Sequence, residues 1–355
     1  MSTRGEAMRG NAGISRKSSP QVSIVIPVYN TGVLLRRCLD SLAAQTLREI
    51  ELICVDDGST DDSLLILQEY ANRDPRFHMI AQENQGPGPA RNAGLEKAEG
   101  KYVIFLDSDD WFEPDLLEHL FRTAEETSAD VTLCCSDEFD THSGEFLNGA
   151  WMLKKELLPG RTFAPSQIAG SLFQFTYGWP WDKLYRADFV SEKGLLFPSL
   201  RNSEDLVFVF KSLALASAIS VSDHLSIHHR VNRLTSVSNM REQEPTAPFQ
   251  AARLLYEDLK ESRFLSLCKD SLLRWEVSFF FWHVSSLKDR KKKKELYFYL
   301  KKEWVPLWKR EGLCASLRGD ARTMVKFRLL SCFPYPLFAA ATAAHRLLKR
   351  LKKPQ

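Results

Sequence analysis

The sequence predicts an α/β protein: a doubly wound, mostly parallel sheet followed by a C-terminal helical, basic extension. Three observations predict it. From Val22 onward short runs rich in β-branched residues alternate with longer stretches of helical periodicity, the polar motifs fall where the short runs end, and charge is divided unevenly along the chain. The 355 residues carry 48 Lys and Arg against 45 Asp and Glu, a net charge of +3. The segment from Val284 to Gln355 alone holds 19 basic and 5 acidic residues, or +14, which leaves −11 for the rest. An acidic body with a basic tail argues against general nucleic-acid binding by the body and for an anionic surface near the tail. With 44% hydrophobic, 11% aromatic and 26% charged residues the composition is globular, and the length allows two or so core-bearing units of roughly 150 residues.

Taken in order, Met1 to Pro20 is rich in Ser, Gly and Arg, lacks an apolar core, and reads as a disordered extension, not a secretory leader. Val22 to Val28 is a doubly buried strand, punctuated by Asn30-Thr31-Gly32 before a helix carrying Leu34, Leu35, Cys38, Leu39 and Leu42. Glu51 to Val55 is a second strand, and the cluster that ends in Ser59 and Thr60 caps the helix of Leu64, Leu65, Leu67 and Tyr70. A third strand lies near Phe77 to Ala81. A Gly/Pro turn and helix (Asn84 to Ala98), a strand (Lys101 to Leu106), a helix begun by Pro114 and a strand (Asp130 to Cys135) follow. Beyond Phe139 the pattern loosens, and from Pro245 it is helical, with Leu254 to Leu267, Leu272 to Leu287 and Lys291 to Trp308 as segments. The expected division is residues 1–20 as extension, 21–240 as the α/β domain and 241–355 as helical basic region. The 7 cysteines, odd in number and without a C-x-x-C, read as buried thiols of a reducing, cytoplasmic compartment. The longest uncharged stretch, Leu329 to Ala344, is shorter than the roughly 18 to 20 residues that cross a bilayer, so no spanning helix is expected.

In doubly wound sheets ligands bind beyond the carboxyl ends of the strands, and each polar motif sits at one. Asp107-Ser108-Asp109 is a compact anionic pair with too few ligands for a closed cage, which suits Mg²⁺ or Mn²⁺ completed by water and phosphate oxygens; a capped turn is the plainer reading. Asp56-Asp57-Gly58-Ser59 offers short acceptors for a base edge or ribose hydroxyls, or else a helix cap. Asn84 to Gly94 opens a helix with close-approach glycines and one arginine, Arg91, suited to a phosphate or carboxylate; otherwise it is a Gly/Pro turn.

These segments, with Pro27-Val28-Tyr29-Asn30 before them, occur in the order and spacing of glycosyltransferase family 2, which the chain resembles over roughly residues 22 to 240. The resemblance implies a GT-A type, inverting, nucleotide-sugar-dependent transferase. It implies that Pro27, Tyr29, Asp56 or Asp57 and Asn84 cradle a uridine-like moiety, that Arg91 orients the donor, that Asp107 faces the ribose or sugar, and that Asp109 holds the cation on the diphosphate. Inversion needs a base across the donor from that cation. Glu204-Asp205 matches the family's pair, with Asp205 as proton acceptor and Glu204 as orienter; an N-cap pair is the alternative. Trp181 and Lys183 resemble a segment near the family's acceptor site, although a core Trp is commoner. Arg230 and Ser236 resemble a loop that closes over the diphosphate. His228 or His229 is a further ligand candidate, against the ordinary reading of a surface histidine.

Arg290 to Lys294 precede Leu296, Tyr297, Phe298, Leu300, Trp304 and Trp308, and Arg346 to Lys353 close the chain with a second cluster. Cationic clusters beside an aromatic face suit an anionic bilayer, so peripheral placement on the cytoplasmic face of the membrane is expected; a solvated helix face is the alternative. The expected activity is transfer of a sugar from a UDP-sugar to a hydroxyl of a cell-surface polysaccharide or lipid-linked glycan. Two other readings compete: a sugar nucleotidyltransferase, which lacks its phosphate loop here because Pro27 to Asn30 is not one, and a non-catalytic glycan-binding protein, against which Asp107, Asp109 and Asp205 speak.

Overall fold

The computed structural model describes residues 19–232 and 242–351. The N-terminal extension, the segment holding Ser236 and the expected domain boundary, and the last four residues lie outside the described residues. The chain begins with three β-α units: β1 (Val22–Val28), α1 (Val33–Ala43), β2 (Ile50–Asp56), α2 (Ser63–Arg73), β3 (Phe77–Ala81) and α3 (Pro87–Lys97). Then come β4 (Tyr102–Phe105), β5 (Trp111–Phe112), α4 (Leu116–Thr127), β6 (Val131–Asp140), β7 (Glu145–Leu147) and β8 (Thr162–Phe163). The second half holds β9 (Lys183–Arg186), α5 (Ala187–Glu192), α6 (Glu204–Leu215) and β10 (Ile219–Val231). Helices α7 (Ala247–Glu261), α8 (Leu265–Ser286), α9 (Arg290–Tyr299), α10 (Val305–Arg310), α11 (Leu313–Ser316), α12 (Ala321–Ser331) and α13 (Tyr335–Leu351) complete it.

The strand order is β3-β2-β1-β4-β9-β6-β10-β5, with β7 on β6 and β8 on β10. The first four strands are parallel, and β6 pairs parallel with β10. Between these halves β9 runs antiparallel to both β4 and β6, so the sheet is mixed at its centre. β1 and β2 are apolar without interruption because both faces are covered. Their alternation sorts the faces: Ile24, Ile26, Leu52 and Ile104 pack with α1, α2 and α4, whereas Val25, Val103 and Phe105 point to the opposite side.

On that opposite side lies a hydrophobic cluster that runs from Val25 and Phe105 through Phe208 and Phe210 of α6 to Leu255, Phe280, Trp304 and Trp308 of the C-terminal helices. The helical region therefore shares a core with the sheet. This changes the reading of the basic tail. Tyr297, Leu300, Trp304 and Trp308, expected on a membrane-facing surface, are fully buried, and Leu296 nearly so. A π-helical turn at Leu300–Trp304 turns Leu300 and Trp304 inward, because burying this aromatic area against α7 and α8 outweighs leaving it in water. Of the six residues of that face, Phe298 is the exposed one. Cys38, Cys54 and Cys134 are buried, unbridged thiols.

Candidate active site

β1, β2 and β4 run in the same direction, with Val28 level with Asp56 and Val25 level with Phe105, so the three motifs that follow them emerge on one edge. Their loops are tied to one another. The Asn30 amide donates to Ser59 Oγ (3.1 Å) and Asn30 Oδ1 accepts from the Thr60 amide (2.8 Å), while Thr31 Oγ1 and Ser108 Oγ share a hydrogen bond of 2.7 Å. Beside this junction Pro27 is half-buried and the Tyr29 ring is exposed.

Asp57 and Asp56 differ sharply. Asp57 Oδ1 accepts from Gln82 Nε2 (2.7 Å) and the Gln85 amide (2.9 Å), and its Oδ2 accepts from the Gly86 amide (2.8 Å). Its carbonyl accepts from Asn84 Nδ2 at 2.9 Å. Asp57 thus holds the turn before α3. Asp56 Oδ2 accepts from the Ser59 amide at 3.3 Å, and its Oδ1 is buried with no hydrogen-bond partner among the described residues. Gly58 is required for the fit, since φ is +74° and a Cβ there would stand 2.9 Å from the Asn84 amide nitrogen.

α3 carries the second half of the site. A Cβ on Gly88 would lie 2.6 Å from the Pro198 carbonyl, and Asn92 exchanges hydrogen bonds with the Phe197 backbone at 2.8 and 3.0 Å. Gly88 and Asn92 therefore seat the 197–203 loop on α3, which brings the start of α6 to Arg91. The Arg91 guanidinium is buried and bridges two carboxylates, Asp107 Oδ1 at 2.9 Å and Glu204 Oε1 at 2.7 Å. Its Nε has no partner among the described residues. Burial works against the charge of Arg91, but Asp107, Glu204 and Asp205 outweigh it and hold the group protonated above its ordinary value.

Asp205 sits beside this bridge. It is half-buried, and its Oδ1 accepts from the Leu206 amide at 2.9 Å. Burial, and then the charge of Glu204, push its carboxyl well above the ordinary aspartate range. Burial also raises Glu204, against the pull of Arg91. Three carboxylates around one arginine make a centre of net negative charge.

The Asp107 motif is anchored from the other side by β10. Asp110 accepts from the Arg230 amide (2.7 Å) and pairs with His229 Nδ1 (2.9 Å), and Arg230 Nε donates to the Asp109 carbonyl (2.9 Å). Burial opposes the His229 charge, but Asp110, with Asp107 and Asp109, pushes the imidazole up to about 9. Arg230, expected in a closing loop, is a buried residue of the sheet whose guanidinium lies 4.9 Å from the Trp111 ring centre. His228 is likewise no surface histidine: it is buried and bonded to Asp137 and Glu113, both at 2.8 Å.

Trp181 is buried, stacked between Trp179 (5.2 Å) and His229 (4.8 Å), which links it to Asp110. Lys183 is fully enclosed, donating to the carbonyls of Tyr177 (3.1 Å) and Trp179 (2.8 Å) and to Asp182 (2.5 Å). Its ammonium shapes the 177–182 turn and faces no solvent. Sequence reasoning passed over Asp110 and Asn92 as position-fixing residues; a polar residue inside each family-like motif was the available signal, but their partners lie 105 to 120 positions away.

Carboxylate oxygens are the donors that Mg²⁺ and Mn²⁺ prefer. Asp107 commits Oδ1 to Arg91 while its side chain is 28% exposed, and Asp109 follows on the same half-buried turn, so the donor chemistry fits such a cation.

The chain matches the glycosyl transferase family 2 model over residues 23–180. It is 35% identical over 244 residues to "Putative glycosyltransferase EpsH" of Bacillus subtilis, which covers 67% of this chain and 68% of that protein. To the poly(ribitol-phosphate) beta-glucosyltransferase of Bacillus spizizenii it is 35% identical over 223 residues, 60% of this chain but 32% of that one. Its fold matches S. aureus TarS 1–349, crystallised in complex with UDP-GlcNAc, with a TM-score of 0.66 at 24% identity over 87% of this chain and 90% of that chain. Fold and strand-end site define a GT-A type transferase. The chain belongs to glycosyltransferase family 2 and is a glycosyltransferase.

Proposed function

We propose that this glycosyltransferase moves a sugar from a UDP-sugar, with inversion, to a hydroxyl of a cell-surface polysaccharide or lipid-linked glycan, and that Asp205 is its base. The observation that carries the reading is the gathering of Asp107 and Glu204 on the buried Arg91 guanidinium at 2.9 and 2.7 Å, with Asp205 beside them, where burial and the charge of Glu204 raise its proton affinity. A base with that affinity suits a hydroxyl proton at neutral pH. As the acceptor oxygen bonds to the anomeric carbon, its proton passes to Asp205 and the bond from that carbon to the diphosphate breaks. Arg91 and Glu204 act through position, holding Asp107 and Asp205 about one centre. Asp56, through its unpartnered oxygen, contacts the nucleobase with Pro27, Tyr29 and Asn84 beside it, and Asp57 supports the turn under them.

Asp109, with Asp107, would hold Mg²⁺ or Mn²⁺, which when bound offsets charge on the leaving diphosphate. The sequence reading of Ser236 and Arg230 beside the diphosphate and of Trp181 and Lys183 near the acceptor remains part of the proposal, with Arg230 and Lys183 acting through the backbone they hold. The UDP-GlcNAc in TarS and the poly(ribitol-phosphate) acceptor named for the Bacillus relative support the donor and acceptor classes. Residues 21–240 form the catalytic unit in this reading and 241–355 its helical support.

Among the described residues no helix is long and apolar enough to cross a membrane. Peripheral contact with an anionic, cytoplasmic membrane face rests on a patch different from the one expected: Phe298, Phe333 and Leu337 are exposed, and Lys301 Nζ donates to the Phe333 carbonyl at 3.0 Å. The donor proposal is tested by measuring nucleotide release from UDP-, GDP- and dTDP-sugars with Mn²⁺. UDP-sugars turn over in the wild type and the rate falls at least a hundredfold in Asp109→Ala; no turnover of any donor, or an unaffected variant, removes the proposal.

A further inference from the structure

Three side chains with no part in the transfer meet near the start of α4. Asp115 occupies the N-cap, His119 lies one turn into the helix, and His224 reaches across from β10. Asp115 Oδ1 is 2.9 Å from His224 Nε2, and Asp115 Oδ2 is 3.3 Å from His119 Nε2. The two imidazoles stack with centroids 3.9 Å apart, and one ligand atom from each of the three residues lies within 4.8 Å of the others. All three side chains are between 30 and 38% exposed, so the group is reachable from solvent.

Two features set this group apart from an ordinary ion pair. Both imidazoles turn Nε2 toward a single carboxylate, one to each oxygen, while the rings stack, so nitrogen and oxygen donors from three residues face one point. His224 also stands in an irregular stretch of β10, whose register against β6 shifts between Val221 and Leu225 and again between Leu225 and Ile227. Bulges of this kind re-aim side chains, and here the result is a histidine directed at the α4 N-cap.

The donor set selects the ion. Two imidazole nitrogens and a carboxylate oxygen suit zinc and its neighbours, whereas Mg²⁺ takes oxygen ligands. Tetrahedral bonds of about 2.0 to 2.1 Å place ligand atoms roughly 3.3 Å apart; His119 Nε2 stands 3.3 Å from Asp115 Oδ2 and His224 Nε2 2.9 Å from Oδ1, and binding one ion draws the set, here within 4.8 Å, together. The site is also remote from Asp109. β5 and β10 are antiparallel with Trp111 opposite His228 and Phe112 opposite Ile227, a register that sends His224 toward Asp115 and Arg230 toward Asp109. Six residues of strand separate the two, on the order of 20 Å at about 3.3 Å per residue.

We propose that Asp115, His119 and His224 form a second metal site, for Zn²⁺ or a related late first-row dication, with a fourth position open to water. The site pins the first turn of α4 to the irregular stretch of β10. Arg122, 62% exposed and 3.4 Å from His119 Nδ1, swings away so that this nitrogen carries the proton when Nε2 binds the metal.

The test uses the full chain in a Cys314→Ser/Cys332→Ser background, because exposed free thiols such as these compete for zinc and cobalt. After chelation, Co²⁺ and Zn²⁺ are titrated separately in millimolar Mg²⁺. One equivalent of Co²⁺ develops the visible absorption of a tetrahedral centre, and Zn²⁺ raises Tm. His224→Ala and His119→Asn each lose the absorption and the Tm shift while melting like the parent without metal, and Asp109→Ala retains both. No Co²⁺ spectrum in the parent, retention in both histidine variants, or loss in Asp109→Ala overturns the site. If a histidine variant is already unfolded without metal, the other variant decides. Because the readouts are spectroscopic and thermal, they stand whether or not the donor proposal holds.

Discussion

Asp57 accepts three hydrogen bonds that fix the turn before α3, whereas Asp56 next to it keeps one buried oxygen without a partner. The two residues therefore separate under mutation. Asp57→Ala strands the buried Gly86 amide and frees the Gln82 and Gln85 donors that hold the turn, and costs about 2 to 4 kcal/mol by chemical denaturation. Asp56→Ala leaves stability within about 1 kcal/mol and raises KM for the UDP-sugar about tenfold or more. A larger stability loss in Asp56→Ala than in Asp57→Ala reverses the assignment. The sequence reading kept both residues as candidates because both end the same strand. What divides them is the position of Gln82, Gln85 and Gly86, some 25 to 29 residues along, which no local pattern encodes. Lys183 was obscured in the same way. A lysine beside tryptophans looks like a sugar contact until the carbonyls of Tyr177 and Trp179 close around it.

At the scale of elements, β1, β2, α1 and the glycine-opened α3 were legible because period-2 and period-3.6 patterns with their punctuation are local properties. The antiparallel β9 was not. Its four residues carry no periodicity, and it is placed by pairing with β4 and β6 rather than by its own composition. The aromatic stripe of α9 and α10 showed the right amphipathic pattern, but such a pattern does not say whether protein or lipid covers it; α8 covers it. In that contact Glu276 of α8 is fully buried, with Trp308 Nε1 donating to its Oε2 at 2.7 Å and Oε1 unpartnered among the described residues. Burial pushes its carboxyl up to about 8. The folded state thus keeps a proton that the unfolded chain releases near the ordinary glutamate value. Stability from this group is full below that value and is lost as pH rises toward about 8. Melting scans from pH 5 to 8 should show the wild type losing Tm relative to Glu276→Gln, which keeps the Trp308 bond without the titration; parallel curves contradict the burial argument.

For the whole molecule, the charge split anticipated in the sequence remains, but its two parts are joined by a common core, so the basic helices are structural neighbours of the catalytic sheet as well as a surface. Membrane contact through Phe298 and Leu337 predicts that the double change Phe298→Glu/Leu337→Glu lowers co-sedimentation with anionic vesicles severalfold while donor turnover in solution is retained; equal sedimentation removes the patch from the account. Asp205, the proposed base, lies where sheet, α3 and α6 meet. Asp205 must be ionised to accept the acceptor proton, and its raised proton affinity means that this condition is met only as pH rises through a value above the ordinary carboxylate range. The direct measurement is kcat/KM against pH for wild type and Asp205→Asn, with UDP-sugar and acceptor. The expected wild-type profile climbs with pH along a limb displaced above ordinary aspartate, and the variant is lowered by about a hundred to ten-thousandfold with that limb absent. A variant with the wild-type limb and rate would contradict this assignment.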